Sequence, residues 1–291
     1  MAKLQKIVID KTHIDDYINN TSDFTFEIKT LKELVTLGFE CEHGGTYEDP
    51  ITKKTREFDI RASKRLINLE EFKLDICLSV ECKNIRNNHP LVIQSVKRLE
   101  NESYMDLVWS NYTFHSLTYI STYGYNIPIY GDDSPYPVGG ATGKSCDQVG
   151  MNNNNEIVAN DSSVFDKISQ SINAAYSLLK NAHYASDDKD HIFITLVLPI
   201  LVVPDDRLWN VTYDVDGNII SEPSKIPNCE YYIDKSWLLG GERERKTRYN
   251  LSHLEIVQLG HLEQLIKKYT DLEILSDKNL LEEAFCEKAF D

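Results

Sequence analysis

Leu74-Asp75-Ile76-Cys77-Leu78-Ser79-Val80-Glu81-Cys82-Lys83-Asn84 is the stretch whose reading decides the fold. Taken as a β-strand, it sends Leu74, Ile76, Leu78, Val80 and Cys82 to one face and Asp75, Cys77, Ser79, Glu81 and Lys83 to the other. Glu81 and Lys83 then stand side by side at the end of an otherwise apolar strand. A carboxylate and an ammonium placed there carry a desolvation cost that a merely structural strand avoids, so the pair points to function. Asp75 shares their face, but at about 3.3 Å per residue it lies about 20 Å from Glu81 and cannot share its site.

Upstream, Ser22 or Asp23 is an N-cap for a helix running to about Leu37, with Gly38 as its stop. At 100° per residue its apolar stripe is Phe24, Ile28, Leu31, Leu34 and Val35, and Glu27 falls inside that stripe. Such a carboxylate either reaches water at the stripe edge or is aimed at a partner in the interior. Between this helix and the deciding strand, the Asp49-Pro50 turn and its Thr-, Tyr-, Phe- and Ile-rich flanks read as a β-hairpin, with Asp59 on its second strand. Helix, hairpin and strand make a mixed α/β opening.

Downstream, residues 85–160 read as an irregular insertion interrupted by Pro128, Pro135 and Pro137, with Val92 to Leu107 a possible helix inside it. Ser162 or Ser163 then caps a helix whose stripe is Val164, Phe165, Ile168, Ile172, Ala175, Tyr176 and Leu179. His191 to Val203 is a nearly continuous apolar run with β-branched residues, the pattern of a central strand covered on both faces. Asp216-Gly217 marks a hairpin turn, Glu230 to Trp237 a further strand, and Leu251 to about Ile274 a final helix. The expected organisation is a domain over 1–220 with the insertion inside it, and a strand-and-helix extension over 221–291 packed on the same domain.

Composition sets the class. With 291 residues, 41% of them hydrophobic, the chain buries a real core. Its longest apolar run, Ile192 to Val203, is interrupted by Thr195 and Pro199 and is too short for a membrane span. Met1 to Lys6 lacks a signal peptide's apolar region. Cys41, Cys77, Cys82, Cys146, Cys229 and Cys286 show no CxxC spacing, which argues against a disulfide framework and a zinc site and for a cytoplasmic protein with reduced thiols. The net charge of −15 lacks the basic surplus of a nucleic-acid binder, so any such surface has to be local. Two clusters qualify: Lys53, Lys54, Arg56, Arg61, Lys64 and Arg65, then Arg243, Arg245, Lys246 and Arg248. Each by itself also reads as a solvated charged face. An acidic subunit attracts phosphates poorly, so a homo-oligomer or a complex with a second protein is expected.

Asp59, Glu81 and Lys83, with Glu27 as a fourth member, form the strongest constellation. Carboxylates facing each other across adjacent strands offer hard oxygen ligands, which suit Mg²⁺ or Mn²⁺ rather than zinc. Such an ion offsets charge developing on a phosphodiester while Lys83 orients the nucleophile or stabilises the transition state, and Glu27 holds a metal-bound water from the helix side. Glu-x-Lys recurs at Glu27-Ile-Lys29 and Glu71-Phe-Lys73, so context discriminates: only Glu81-Cys82-Lys83 ends an apolar strand downstream of a hairpin Asp. The bland alternative is surface pairing of Asp59 with Arg61 or Arg56 and of Glu81 with Lys83.

Glu27 on a first helix, Phe58-Asp59 ending a hairpin strand, and Val80-Glu81-Cys82-Lys83-Asn84 together resemble the motif of the PD-(D/E)XK nuclease superfamily. The resemblance covers residues 22 to 84 and extends to the helix at 162–182 and the strand at 191–203. It implies a restriction-endonuclease-like αβββαβ core around a central mixed sheet, and metal-dependent cleavage of nucleic acid, usually DNA, with RNA left open. It also implies Asp59 and Glu81 as metal ligands assisted by the Cys82 backbone carbonyl, Lys83 as the catalytic lysine, and a role in bacterial restriction or anti-phage defence. Phe58 stands where the motif has Pro. A catalytically inactive module of the same fold, binding nucleic acid or a partner, is the alternative, and an interaction subunit with an acidic surface a third reading.

Gly139-Gly-Ala-Thr-Gly-Lys-Ser145 is not a P-loop, because Val138 stands where the first Gly belongs. Lys144 and Gln148 are instead expected to contact phosphate or the site across a cleft, with Gln170 as a rival. His43 beside Cys41 and Gly44-Gly45 reads as a metal ligand or, more commonly for a lone His at a strand end, as a structural residue; His253 and His261 read as the surface of the final helix, and Trp109, Trp209 and Trp237 as base-stacking groups or, more commonly, core residues.

Overall fold

The computed structural model describes residues 7–69, 72–86, 88–115, 120–159, 162–184, 192–240 and 246–272. In chain order the elements are α1 (Lys11–Asn20), α2 (Phe24–Thr36), β1 (Glu40–Glu48), β2 (Thr55–Asn68), β3 (Phe72–Cys82), β4 (Leu91–Lys97), β5 (Tyr104–His115), β6 (Ile120–Tyr130), β7 (Ala141–Met151) and β8 (Ile157–Ala159). They continue with α3 (Ser162–Tyr184), β9 (Ile192–Val203), β10 (Leu208–Thr212), β11 (Ser224–Lys225), β12 (Asn228–Leu239), β13 (Thr247–Gln258) and α4 (Leu262–Thr270). The result is an α/β protein built on one large mixed sheet with few helices, ordered β1-β2-β3-β9-β13-β12-β7-β4-β10-β11.

The organising strand behaves as its alternation demands. Leu74, Ile76, Leu78, Val80 and Cys82 are all buried in the core beneath α2 and α4. β3 pairs antiparallel with β2 and parallel with β9, which is central. The second edge of β9 is divided: β5 runs against residues 193–196, and β13 lies parallel to residues 200–203. Pro199 falls in the gap where the partner changes, which is how a central strand accommodates a residue without an N–H. α3 covers the opposite face through Val164, Ile168, Ala175 and Leu179. Tyr213 bridges Ile219 around Gly217, whose φ is +83°, so the expected turn forms.

Several expectations are overturned. The described part of residues 85–160 contains strands β4 to β8 rather than an irregular insertion, and between Val92 and Leu107 the helical backbone is confined to one short 3-10 turn at Glu100–Glu102. Leu91, Ile93 and Ser95 are buried at a period of two, the strand signature. Pro128 is tolerated because β6 pairs only with β5. Leu251 to Gln258 is strand, not helix, and the terminal helix is confined to Leu262–Thr270; Ile274 lies outside the described residues. β12 and β13 therefore sit inside the sheet between β9 and β7.

α2 is rotated from its expected orientation. Phe26, Thr30 and Leu34 face the core, whereas Phe24, Ile28 and Val35 are exposed. Gly143 is where β7 pairs with β12: a Cβ there would stand 2.8 Å from Cys229 Sγ and 3.0 Å from Tyr231 Cδ2, so Gly143 serves close packing within a strand, with Gly139 and Gly140 just before it. Trp109 and Trp237 are in the core as expected. His253 lies in β13, buried and stacked on Tyr136 at 3.7 Å between ring centroids. Around it Arg98 donates to His253 and Glu230, Lys268 pairs with Glu230 and Glu255, and Tyr269 donates to Glu255, tying α4 to the sheet. Burial, helped by the cations of Arg98, Lys268 and Lys144, pushes His253 down to about 2, so it is neutral.

Candidate functional site

The antiparallel register of β2 and β3 reaches Ile60 opposite Val80, and one step further Asp59 and Glu81 meet at the end of the ladder. The Asp59 N–H donates to Glu81 Oε1 at 3.3 Å, and the Cys82 N–H donates to Asp59 Oδ2 at 2.8 Å. The two carboxylates therefore converge, as the alternation of β3 and the hairpin place them.

The amine that joins them is not Lys83. Lys167 on α3 puts Nζ 2.6 Å from Asp59 Oδ2 and 2.9 Å from Glu81 Oε2. Its position follows from how α3 docks. Ser79 Oγ donates to the Ser171 carbonyl and Ser171 Oγ to the Ser79 carbonyl, both at 2.8 Å, while Ala174 and Ala175 let helix and sheet approach closely. Lys167 is one turn before Ser171 and so points to the same side, onto the acidic pair. The side chains of Lys167, Asp59 and Glu81 are 17%, 14% and 1% exposed. The one trace in the sequence is that Lys167, like Glu27, is a charge beside an apolar helical stripe, flanked by Val164, Ile168 and Ser171; that spacing does not say what the lysine faces.

Lys83 turns elsewhere. β3 ends at Cys82, the Lys83 N–H makes one last bond to Val202 O at 3.0 Å, and its ammonium lies 3.4 Å from Asp23 Oδ2. Asp23 also accepts the Asn84 N–H at 2.7 Å, so the segment after β3 is fastened to the start of α2. Glu27 is bonded to His43, Nε2 to Oε2 at 3.1 Å, beside the Phe24 ring. Among the described residues no hydrogen bond or ion pair joins Glu27 to Asp59, Glu81 or Lys167.

No protein-family model, no curated protein and no solved structure matches the chain.

The electrostatics follow from burial. Glu81 is pushed up to about 8 by desolvation and then by the charge of Asp59, against the pull of Lys167. Lys167 is raised: burial works to lower it, but the charges of Glu81 and Asp59 outweigh that and hold it as an ammonium. The two shifts fit one arrangement, a single ammonium serving two carboxylates of which the buried one takes up a proton readily. The Cys82 thiol, fully enclosed on the other face, is pushed well up by burial.

The β1–β2 hairpin projects over α3. Gly44, at φ +67°, and Gly45, where a Cβ would meet the Phe58 ring at 2.4 Å, let it bend so that Tyr47 and Phe58 pack on Ala174. Asp49 Oδ1 accepts the N–H groups of Ile51 and Thr52, and Oδ2 accepts from Asn173 of α3 at 3.2 Å, which locks the tip. Lys53, Lys54 and Arg56 are exposed on it. Arg61 is not available in the same way: it donates to Ser177 and lies 4.0 Å over the Phe58 ring. Lys144 is turned to Glu102 and the Tyr232 ring, Gln148 donates to the His89 carbonyl at 3.1 Å, and Gln170 lends its carbonyl to Tyr47 OH at 3.4 Å. Arg243 and Arg245 lie outside the described residues.

As a metal site the donors fit in kind. The carboxylates present hard oxygens to one common point, which suits an ion that keeps several waters. Among the described residues no group of three or more His, Cys, Asp or Glu side chains forms a ready-made cage. No helix among them is long and apolar enough to cross a membrane.

Proposed function

We propose that the chain is a metal-dependent nuclease with a restriction-endonuclease-like core. The observation that carries this reading is the convergence of Asp59 and Glu81, from different strands, on one cationic point. The order α2-β1-β2-β3-α3-β9, with β3 parallel to β9 and α2 and α3 on opposite faces, supports the αβββαβ assignment. A setting in restriction or anti-phage defence follows from the motif resemblance.

In this reading Asp59 and Glu81, with the Cys82 carbonyl, hold Mg²⁺ or Mn²⁺. The bound ion supplies Lewis-acid charge and a more acidic water. The chain's own residues do the rest. The Ser79–Ser171 clamp fixes the spacing between carboxylates and amine and keeps water from beneath them. Lys53, Lys54 and Arg56 grip phosphates from the rigid hairpin tip, and Glu27 orients His43 at the α2 edge. Because the charge of −15 opposes nucleic-acid binding, the working form is a homo-oligomer or a complex with a second protein.

The test is a plasmid-nicking and RNA-cleavage assay on purified protein with Mg²⁺ or Mn²⁺, with and without EDTA, alongside Asp59→Asn and Glu81→Gln. Metal-dependent cleavage that both variants lose is expected. A wild type that cleaves neither nucleic acid, or variants that cleave equally well, sinks the proposal. One observation favours a second reading, a binding module of the same fold without catalysis: Lys167 already satisfies both carboxylates, and Lys83 is bound to Asp23.

A further inference from the structure

Two carboxylates that share one ammonium already hold a cation between them, and this sets a condition on any other cation that would use them. The point where Asp59 Oδ2 and Glu81 Oε2 converge is filled by Lys167 Nζ, at 2.6 and 2.9 Å. A divalent ion cannot share that point with an ammonium, since like charges a few ångströms apart in a half-buried site repel strongly. Either the pair is a permanent structural bridge, or the lysine gives way.

Three features favour giving way. Lys167 reaches the pair on an unbranched four-carbon stem that can swing without moving its backbone. The helix is anchored one turn below, by the reciprocal Ser79 and Ser171 bonds, so α3 stays docked when the stem moves. The Lys167 side chain is 17% exposed, so the site is not sealed from solvent. Lys83 lacks this freedom, because its partner Asp23 is also bonded to the Asn84 N–H and is part of the joint between β3 and α2.

We propose that Lys167 is a displaceable counter-ion: it holds the Asp59–Glu81 pair together in the resting protein, yields that position to a divalent cation, and then serves as the amine of the site in place of Lys83. The chain thereby carries its own competitor for metal. The site stays closed at low divalent-ion concentration, and the amine is delivered beside the ion by the same movement that admits it. The counter-ion half stands on the geometry of the pair, whereas the amine half rests on the nuclease reading above.

The experiment uses full-length wild type, Lys167→Met, Lys167→Gln and Lys83→Met in metal-free buffer. Mn²⁺ alone is titrated in by calorimetry, the same preparations are assayed for plasmid and RNA cleavage, and circular dichroism checks the fold. Lys167→Gln keeps hydrogen bonding without charge, should Lys167→Met fold poorly. Removing a competitor held by two charge-assisted bonds should tighten Mn²⁺ binding about tenfold or more in both Lys167 variants, with cleavage falling sharply. Lys83→Met, whose ammonium does not touch the pair, should bind Mn²⁺ as the wild type does.

Mn²⁺ affinity that is unchanged, weaker or absent in the folded Lys167 variants overturns the counter-ion, whatever the wild type cleaves. Cleavage kept by Lys167→Met and lost by Lys83→Met overturns the amine assignment. Tighter Mn²⁺ binding by the Lys167 variants, with no cleavage of DNA or RNA by the wild type, supports the counter-ion and defeats the nuclease reading.

Discussion

Replacing Glu81 by Gln should make the protein more stable at high pH, and the reason can be worked from the site. The Glu81 carboxyl sits at about 8 in the folded chain, against an ordinary value of 4.5, because burial and the neighbouring Asp59 charge disfavour its ionised form. Between those two values the folded chain holds a proton that the unfolded chain has released, so unfolding stability falls as pH rises through the window. The gap of 8 less 4.5 units, at about 1.4 kcal/mol per unit, gives a ceiling near 5 kcal/mol for the loss. Lys167 remains an ammonium throughout, since its own shift is upward, so the titration belongs to Glu81. Glutamine keeps the shape and cannot ionise. In urea denaturation in EDTA at intervals from pH 5 to 9, the stability of Glu81→Gln relative to wild type should climb with pH by about 2 to 5 kcal/mol. Saturating Mn²⁺ should shrink that gap at pH 8 by stabilising the ionised carboxylate of the wild type. A difference between the two proteins that stays constant from pH 5 to 9 refutes the account of the Glu81–Asp59–Lys167 trio.

Further outcomes follow from the packing and the surface. Ser171→Ala removes the bonds to the buried Ser79 and Ile200 carbonyls, so calorimetry should show a loss of about 1 to 3 kcal/mol and weaker Mn²⁺ binding as α3 loosens; an unchanged melting temperature would count against the clamp. Gly143→Ala forces a methyl onto Cys229, Ile93 and Tyr231 and should cost about 1 to 3 kcal/mol in denaturant titrations; a neutral result would show that the β7–β12 pairing is not close-packed. Arg98→Met strands Glu230 and the His253 ring in the interior and should cost about 3 kcal/mol or more, again read by denaturation, and a smaller effect would mean that Lys268 alone satisfies Glu230. Changing Lys53, Lys54 and Arg56 together to Ala should weaken nucleic-acid binding and lower the salt slope in anisotropy titrations by up to about 2.7, and an identical slope would remove the hairpin tip from the interface.

How much of this was legible depended on whether the deciding contact was local. The hairpin, β3 and the meeting of Asp59 with Glu81 follow from alternation along one strand and an antiparallel neighbour close in sequence, so the stretch from Glu40 to Cys82 specifies them. The helix over Ser162–Tyr184 and the central strand at Ile192 were equally readable, because a 3.6-residue stripe and an apolar run with β-branched residues declare themselves, although Ser162 and Ser163 lie in the first turn of the helix rather than before it. The lysine at the acidic pair was not. Lys83 is two residues from Glu81 in sequence, yet the strand ends one residue before it and Asp23 captures it, whereas Lys167, over 80 residues away, is delivered by helix docking.

The same division explains the corrected elements. His253 read as the surface of a final helix, and the stretch around Glu255 as part of that helix, because their partners Arg98, Tyr136, Lys268 and Tyr269 are not visible locally. With those partners in place a buried strand tolerates both, and the propensity of Leu254, Ile256 and Val257 prevails. The outward turn of Phe24, Ile28 and Val35 on α2 was decided by which side of the helix met the sheet. Periodicity along the chain therefore determined the strand faces, the hairpin and the acidic pair, since each rests on neighbours a few residues apart. Only the packed structure decided which amine joins that pair and which polar groups are buried, because those energies belong to contacts between segments that meet after the sheet has closed.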